Sequence, residues 1–150
     1  MKTHIILILT IINCECCYSQ QANKNINEKL YAPIYSLYYP TDKWEITAEN
    51  VEFLNNYVVD KIKEANASKL IVNLEGHTDD VGDAHYNMKL SEKRVQSIAY
   101  YLISKGINSE QIKVAFFGES KPENRNIAIS KKLTDIRYAN RRVVIRLEIE

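Results

Sequence analysis

The chain has 150 residues, enough for one sizeable core, and its 45% apolar and 26% charged content is that of an ordinary soluble globular domain. Its formal net charge of +1 excludes a strong overall field, so nothing general draws it to nucleic acid or to an anionic membrane surface. Recognition must then be local.

Residues 1–19 differ in kind from the rest. Lys2 gives a short basic start, Ile5 to Ile12 form an apolar run, and Cys17-Tyr18-Ser19 ends it with small residues at −3 and −1. That is the pattern of a secretory signal peptide cleaved between Ser19 and Gln20. The run is shorter than the roughly 20 residues of a membrane-spanning helix, and no later stretch reads as a spanning segment or a barrel. All three cysteines, Cys14, Cys16 and Cys17, lie inside this leader, so a mature chain cleaved there has no thiol, disulfide or cysteine-based metal site. Cys14 offers a second route as the acylated residue of a bacterial lipobox, although Asn13 stands where a small residue is wanted. The expected organisation is a signal peptide over 1–19, a polar linker over 20–32 and one folded domain over 33–150.

Pro33 to Pro40 is aromatic and aliphatic with a proline at each end, which suits a first strand stopped sharply. From Thr47, a good N-cap, Val51, Leu54, Val58 and Ile62 recur at helical spacing, and Asn66-Ala67-Ser68 should end that helix. Lys69 to Glu75 reads as a strand with Leu70, Val72 and Leu74 on one face. A second helix is expected over Met88–Lys105, burying Val95, Ile98, Ala99 and Leu102 and stopped by Gly106. Ile112 to Phe117 is a third strand, Glu119–Ala139 is polar and irregular, and Arg142–Ile149 alternates cleanly as a last strand. The order β-α-β-α-β-(loop)-β predicts an α+β two-layer sandwich, a four-stranded mixed sheet covered on one face by two helices.

Chemistry concentrates between the second strand and the second helix. Gly76-His77-Thr78-Asp79-Asp80-Val81-Gly82 is a tight polar loop that places a carboxylate at Asp79, and Arg94 follows on the helix fifteen residues later. Asn87 and Arg94, seven apart, lie on one flank of that helix. Asp79 could take a ligand ammonium, while Arg94 and the free N–H groups of the helix start take a carboxylate, together a receptor for a small zwitterion. An ordinary Asp79–Arg94 salt bridge or a solvated pair is the alternative. His77 and His85 match no zinc spacing, no metal or other cofactor is implied, and no nucleophile, phosphate loop or catalytic carboxylate pair can be assembled. The chain does not read as an enzyme.

Gly76-His77-Thr78-Asp79-x-x-Gly82, Tyr86-Asn87-x-x-Leu90-Ser91-x-x-Arg94, Gly106-Ile107, Phe117-Gly118-Glu119, Pro122 and Asn140-Arg141-Arg142-Val143 together resemble the OmpA-like peptidoglycan-binding domain, over about Ile34 to Ile149. The resemblance implies non-covalent binding of peptidoglycan through the diaminopimelate of its stem peptide, linking the envelope to the wall. It puts Asp79 and Arg94 on the charged end of that residue and Thr78 and Asn87 in the pocket lining. Arg141 matches the first arginine of the Asn-Arg-Arg motif, where pocket and scaffold roles both stay open. With the leader, it implies a periplasmic protein, free or associated with the outer membrane, with other envelope proteins as further partners. The chain departs from the family at Tyr39-Pro40-Thr41-Asp42, where Phe-Asp is usual, and at Ile136-Arg137, where Gly-Arg is usual; its loop from Pro122 is longer. A module that has lost the wall site and docks an envelope protein through Glu119–Ala139 is the alternative function.

Overall fold

The structure is a computed structural model that describes residues 34–64, 70–123 and 132–149. The leader, the lipobox cysteine, the linker, Pro33, the helix stop at Asn66-Ala67-Ser68 and the middle of the long polar segment lie outside the described residues.

Strand β1 (Ile34–Tyr38) leads into a loop and then into helix α1 (Ala48–Phe53), whose N-cap Thr47 accepts from the Asn50 amide at 3.2 Å. A π-helical segment, Leu54–Val59, continues into α2 (Asp60–Glu64). The wider π turn lets Val58 and Val59 both enter the core beside Leu54 and Ile62. Strand β2 (Leu70–Gly76), the long helix α3 (Ala84–Ser104), a short 3-10 turn at Ser109–Gln111 and strand β3 (Ile112–Phe116) follow. Helix α4 (Leu133–Asn140) and strand β4 (Arg142–Ile149) complete the order.

The sheet runs β1-β4-β2-β3. Strand β4 is antiparallel to both β1 and β2, and β2 is parallel to β3, which makes the sheet mixed as expected. The even period of β2 sends Leu70, Val72 and Leu74 to one face. There they meet Val143, Ile145 and Leu147 of β4, Leu54, Val58 and Ile62 of the first helical stretch, and Val95, Ile98 and Leu102 of α3 in one core. The α+β two-layer sandwich read from the sequence is the fold of the chain.

Two expectations change. Helix α3 begins at Ala84, a turn before Met88, because the Asp83 carboxylate caps it by accepting from the amides of His85 (2.9 Å) and Tyr86 (3.2 Å). The segment taken as irregular to Ala139 contains α4, which of its own residues buries only Asn140 and therefore has no apolar stripe to announce it.

Gly76, the last residue of β2, marks where sheet and helix touch. A Cβ there would lie 2.5 Å from the Ser91 backbone oxygen and 2.7 Å from Val95 Cγ2. That contact sets how closely α3 lies on the end of β2, and hence where the loop after β2 meets the helix. Gly76→Ala should cost about 1–3 kcal/mol, seen as a lower midpoint in urea unfolding; an unchanged midpoint would mean that the helix can back away freely.

Candidate functional site

Strands β1, β2 and β3 all leave the sheet at the end where β4 begins, so three exits and one entry converge there. The loop after β2 is fastened by backbone bonds on both sides: the His77 amide donates to Arg142 O at 2.9 Å and the Thr78 amide to Gly118 O at 2.8 Å. The chain after β3 is held in turn on α3, where the Gly118 amide donates to Ser91 Oγ at 3.0 Å.

Arg94 rises from α3 into this junction and is 0% exposed. Its Nε donates to Lys43 O at 2.8 Å, Nη1 to His77 O at 2.9 Å and Nη2 to Pro40 O at 3.3 Å. The Tyr39 ring lies 5.0 Å from the guanidinium carbon. Burial draws the Arg94 pKa down to about 10, with the nearby Asp79 carboxylate among the influences holding it up, so it stays charged at neutral pH. Tyr39, buried beside it, is pushed up to about 12 by desolvation.

Asp79 is buried, and its cation is Arg141 rather than Arg94: Arg141 Nη1 donates to Asp79 Oδ2 at 2.8 Å, while Arg141 Nε donates to Tyr39 O at 3.0 Å. Arg141 thus has both the pocket and the scaffold contacts that the sequence left open. Asn87, also buried, donates from Nδ2 to Val81 O (3.2 Å) and to Glu119 Oε2 (2.7 Å), which pins the β2 loop to the segment after β3. Asn140 accepts from the Glu123 amide at 2.7 Å, so the neighbour of Arg141 anchors the returning chain.

Asp79, Asn87, Arg94 and Arg141 line one cleft of about 250 Å³, with Thr41, Asp42, Gly82, Tyr86 and Leu90 among the rest of its wall. Thr78 is not in that lining; its hydroxyl is buried without a hydrogen-bond partner among the described residues, and it serves the site through its backbone. Asp42 enters the wall in spite of its departure from the usual pattern. It sits at φ +57°, a left-handed conformation uncommon outside glycine, and its carboxylate accepts from the Tyr86 hydroxyl. No cation pairs with Asp42 among the described residues. The departure at Tyr39-Pro40-Thr41-Asp42 argues against Asp42 as a pocket residue, and Tyr86 and Glu119 stand in the recognised motifs without an assigned role; the carboxylate just after the Pro40 turn is the signal for the first.

His77 is buried against the Phe117 ring, 5.5 Å between centroids. Desolvation first, then the Arg142 charge, lowers its pKa from 6.5 to about 4. Among the described residues no group of three or more His, Cys, Asp and Glu side chains is placed to hold a metal ion, and no helix is long and apolar enough to cross a membrane.

An open mixed sheet with a helical layer on one face and a cleft of mixed charge at the strand exits defines a small α+β two-layer domain. A family model described as the OmpA family matches residues 38–134, more than half of the chain, and the chain belongs to that family. A peptidoglycan-associated lipoprotein of Buchnera aphidicola subsp. Baizongia pistaciae is 34% identical over 87 residues, covering 58% of this chain and 49% of the relative. Outer membrane protein A of Klebsiella aerogenes is 42% identical over 77 residues, covering 49% of this chain and 22% of the relative. The chain spans about half or less of the length of the curated relatives it matches. Among solved structures, the peptidoglycan-associated lipoprotein from Burkholderia pseudomallei aligns with a TM-score of 0.63 at 21% identity, covering 75% of this chain and 89% of that one, which shows the fold. The OmpA-like domain of FopA1 from Francisella tularensis aligns with a TM-score of 0.56 at 27% identity, over 77% and 72% of the two chains.

The His77 pKa yields a pH dependence of stability. The folded value of about 4 lies below the ordinary 6.5, so the contribution is complete above about pH 6.5, falls as the unfolded chain takes up protons, and is gone near pH 4. The loss should be on the order of 3 kcal/mol. Urea midpoints measured between pH 7 and 4 should decline less in His77→Gln than in the parent; parallel curves would contradict the assignment.

Proposed function

We propose that this domain binds cell-wall peptidoglycan non-covalently, by seating the diaminopimelate of a stem peptide in the cleft of Asp79, Asn87, Arg94 and Arg141, without catalysing a reaction. The observation that carries the reading is the convergence of two carboxylates and two guanidiniums in one small cleft. Family membership and the peptidoglycan-associated relatives support the substrate class.

A diaminopimelate side chain ends in an ammonium and a carboxylate on one carbon, so its receptor must offer both signs a few ångströms apart. Five N–H groups belong to a guanidinium, and two of those on Arg94 make no hydrogen bond among the described residues. They are the donors for the ligand carboxylate. The ammonium goes to Asp79, whose oxygens have lone pairs beyond the Arg141 contact, and to Asp42, which forms no salt bridge among the described residues. Asn87 and Arg141 hold these groups in place. In this reading residues 1–19 export the chain as a signal peptide, 20–32 tether it, 33–150 bind the wall, and the mature protein works in the periplasm at the outer membrane, by cleavage after Ser19 or by lipidation at Cys14.

Because Arg94 also holds three backbone carbonyls, its truncation would confound binding with folding. Asp79→Asn and Asp42→Asn remove charge and keep shape. Each should lower co-sedimentation with purified wall sacculi about tenfold, the size of one lost charge-assisted hydrogen bond, with circular dichroism unchanged. Undiminished pelleting of both variants would refute the site.

A further inference from the structure

A second cleft, of about 310 Å³, opens between the exit of β1, the start of α1 and helix α4. It is at the small end of the size range of ligand sites, roughly 300–1,000 Å³. One wall is aromatic. Tyr38 and Tyr138 stack at 5.3 Å between centroids and 17° between planes, and Tyr138 is 52% exposed, which leaves ring surface open to a ligand. Phe53 and Leu37 add apolar surface, and Ser36 and Asn50 bring a hydroxyl and an amide.

The charge inventory narrows the occupant. Among the described residues that line this cleft there is no lysine, arginine or histidine, and the one carboxylate is Glu49. What it offers is flat aromatic surface edged by neutral donors and acceptors. A pyranose ring matches that chemistry, because its C–H face lies on an aromatic ring while its equatorial hydroxyls and any amide substituent reach the polar rim.

The two clefts adjoin. The chain passes from Tyr39-Pro40 in this wall directly to Thr41-Asp42 in the other. Tyr138 of this cleft lies 5.6 Å from the guanidinium carbon of Arg141, which lines the first. A ligand with a charged peptide and a neutral sugar on one covalent frame would meet both sites without leaving the surface. We infer that this second cleft is a subsite for a neutral N-acetylated sugar ring of the wall's glycan strand, with Tyr138 and Tyr38 as the stacking platform and Asn50 as a polar contact. The inference rests on the peptidoglycan reading for the identity of the glycan, and on the cleft itself for the chemistry.

Binding of two probes to the full chain, followed by NMR titration, separates the two readings. The probes are a neutral oligomer of four β-1,4-linked N-acetylglucosamines, which has no peptide, and free diaminopimelate, which has no sugar. The oligomer should bind weakly and saturably, and Tyr138→Ala should weaken it about fivefold, the size of one lost aromatic contact, while diaminopimelate affinity changes by less than about twofold. If Tyr138→Ala disturbs α4, Asn50→Trp fills the cleft from the first turn of α1 and should block the sugar with the unfolding midpoint unchanged. Diaminopimelate binding without sugar binding overturns the subsite and leaves the wall reading standing. Sugar binding without diaminopimelate binding does the reverse. Sugar binding untouched by both variants, or displaced by tetramethylammonium, also overturns it, the latter in favour of a cation site at Glu49.

Discussion

The Arg94 guanidinium, buried and bonded to the carbonyls of Pro40, Lys43 and His77, is the contact on which this end of the molecule depends. Desolvating a cation costs several kcal/mol unless fixed dipoles replace its water. Here three carbonyls from two loops do so, and the planar fork of the guanidinium fixes their directions in a way that a lysine ammonium could not. One side chain thereby joins the loop after β1, the loop after β2 and helix α3, and Arg141, Asn87 and Ser97 reinforce that junction through Tyr39 O and Asp79, through Val81 O and through Trp44 O.

From that anchor the electrostatics of the cleft follow. Arg94 is hydrogen-bonded to neutral carbonyls, with the Asp79 and Asp42 carboxylates near enough to favour its charged form, whereas Asp79 is paired directly with Arg141 at 2.8 Å. The pair fixes the carboxylate without isolating it from the cleft. Asp42, held in a left-handed conformation, adds a carboxylate that accepts from the Tyr86 hydroxyl. The cleft therefore sets two guanidiniums and two carboxylates side by side, charge of both signs within one small volume. The outer ties are of a different kind: Arg137 meets Asp80 at 2.8 Å with both side chains solvent-accessible, and such a pair contributes little to stability.

Much of this was legible from residue order, for physical reasons that differ by element. The buried stripes of α1 and α3 and the alternation of β2 and β4 carry apolar periodicity, and that periodicity is the signal. Helix α4 has none, since its own burial is limited to Asn140, so its sequence is indistinguishable from a polar loop. The early start of α3 depends on one capping carboxylate, Asp83, that looks like any polar loop residue. In the site, Asp79, Asn87 and Arg94 stood out because they share a loop and a helix flank. That Asp79 would pair with Arg141, sixty-two residues away, and that Arg94 would spend three donors on backbone carbonyls, are consequences of how β1 and β4 meet. No local spacing encodes them. Asp42 was hidden for the same reason, because its place in the wall depends on a single left-handed residue.

The central claim is that Arg94 and the two carboxylates around it form one receptor for a zwitterion. A structure of the full chain with saturating diaminopimelate addresses it most directly. The account predicts the ligand carboxylate about 2.7–2.9 Å from Arg94, with the ammonium between Asp79 and Asp42 and the three carbonyl bonds of Arg94 intact. Diaminopimelate bound elsewhere, or a cleft left empty at saturation, would contradict it.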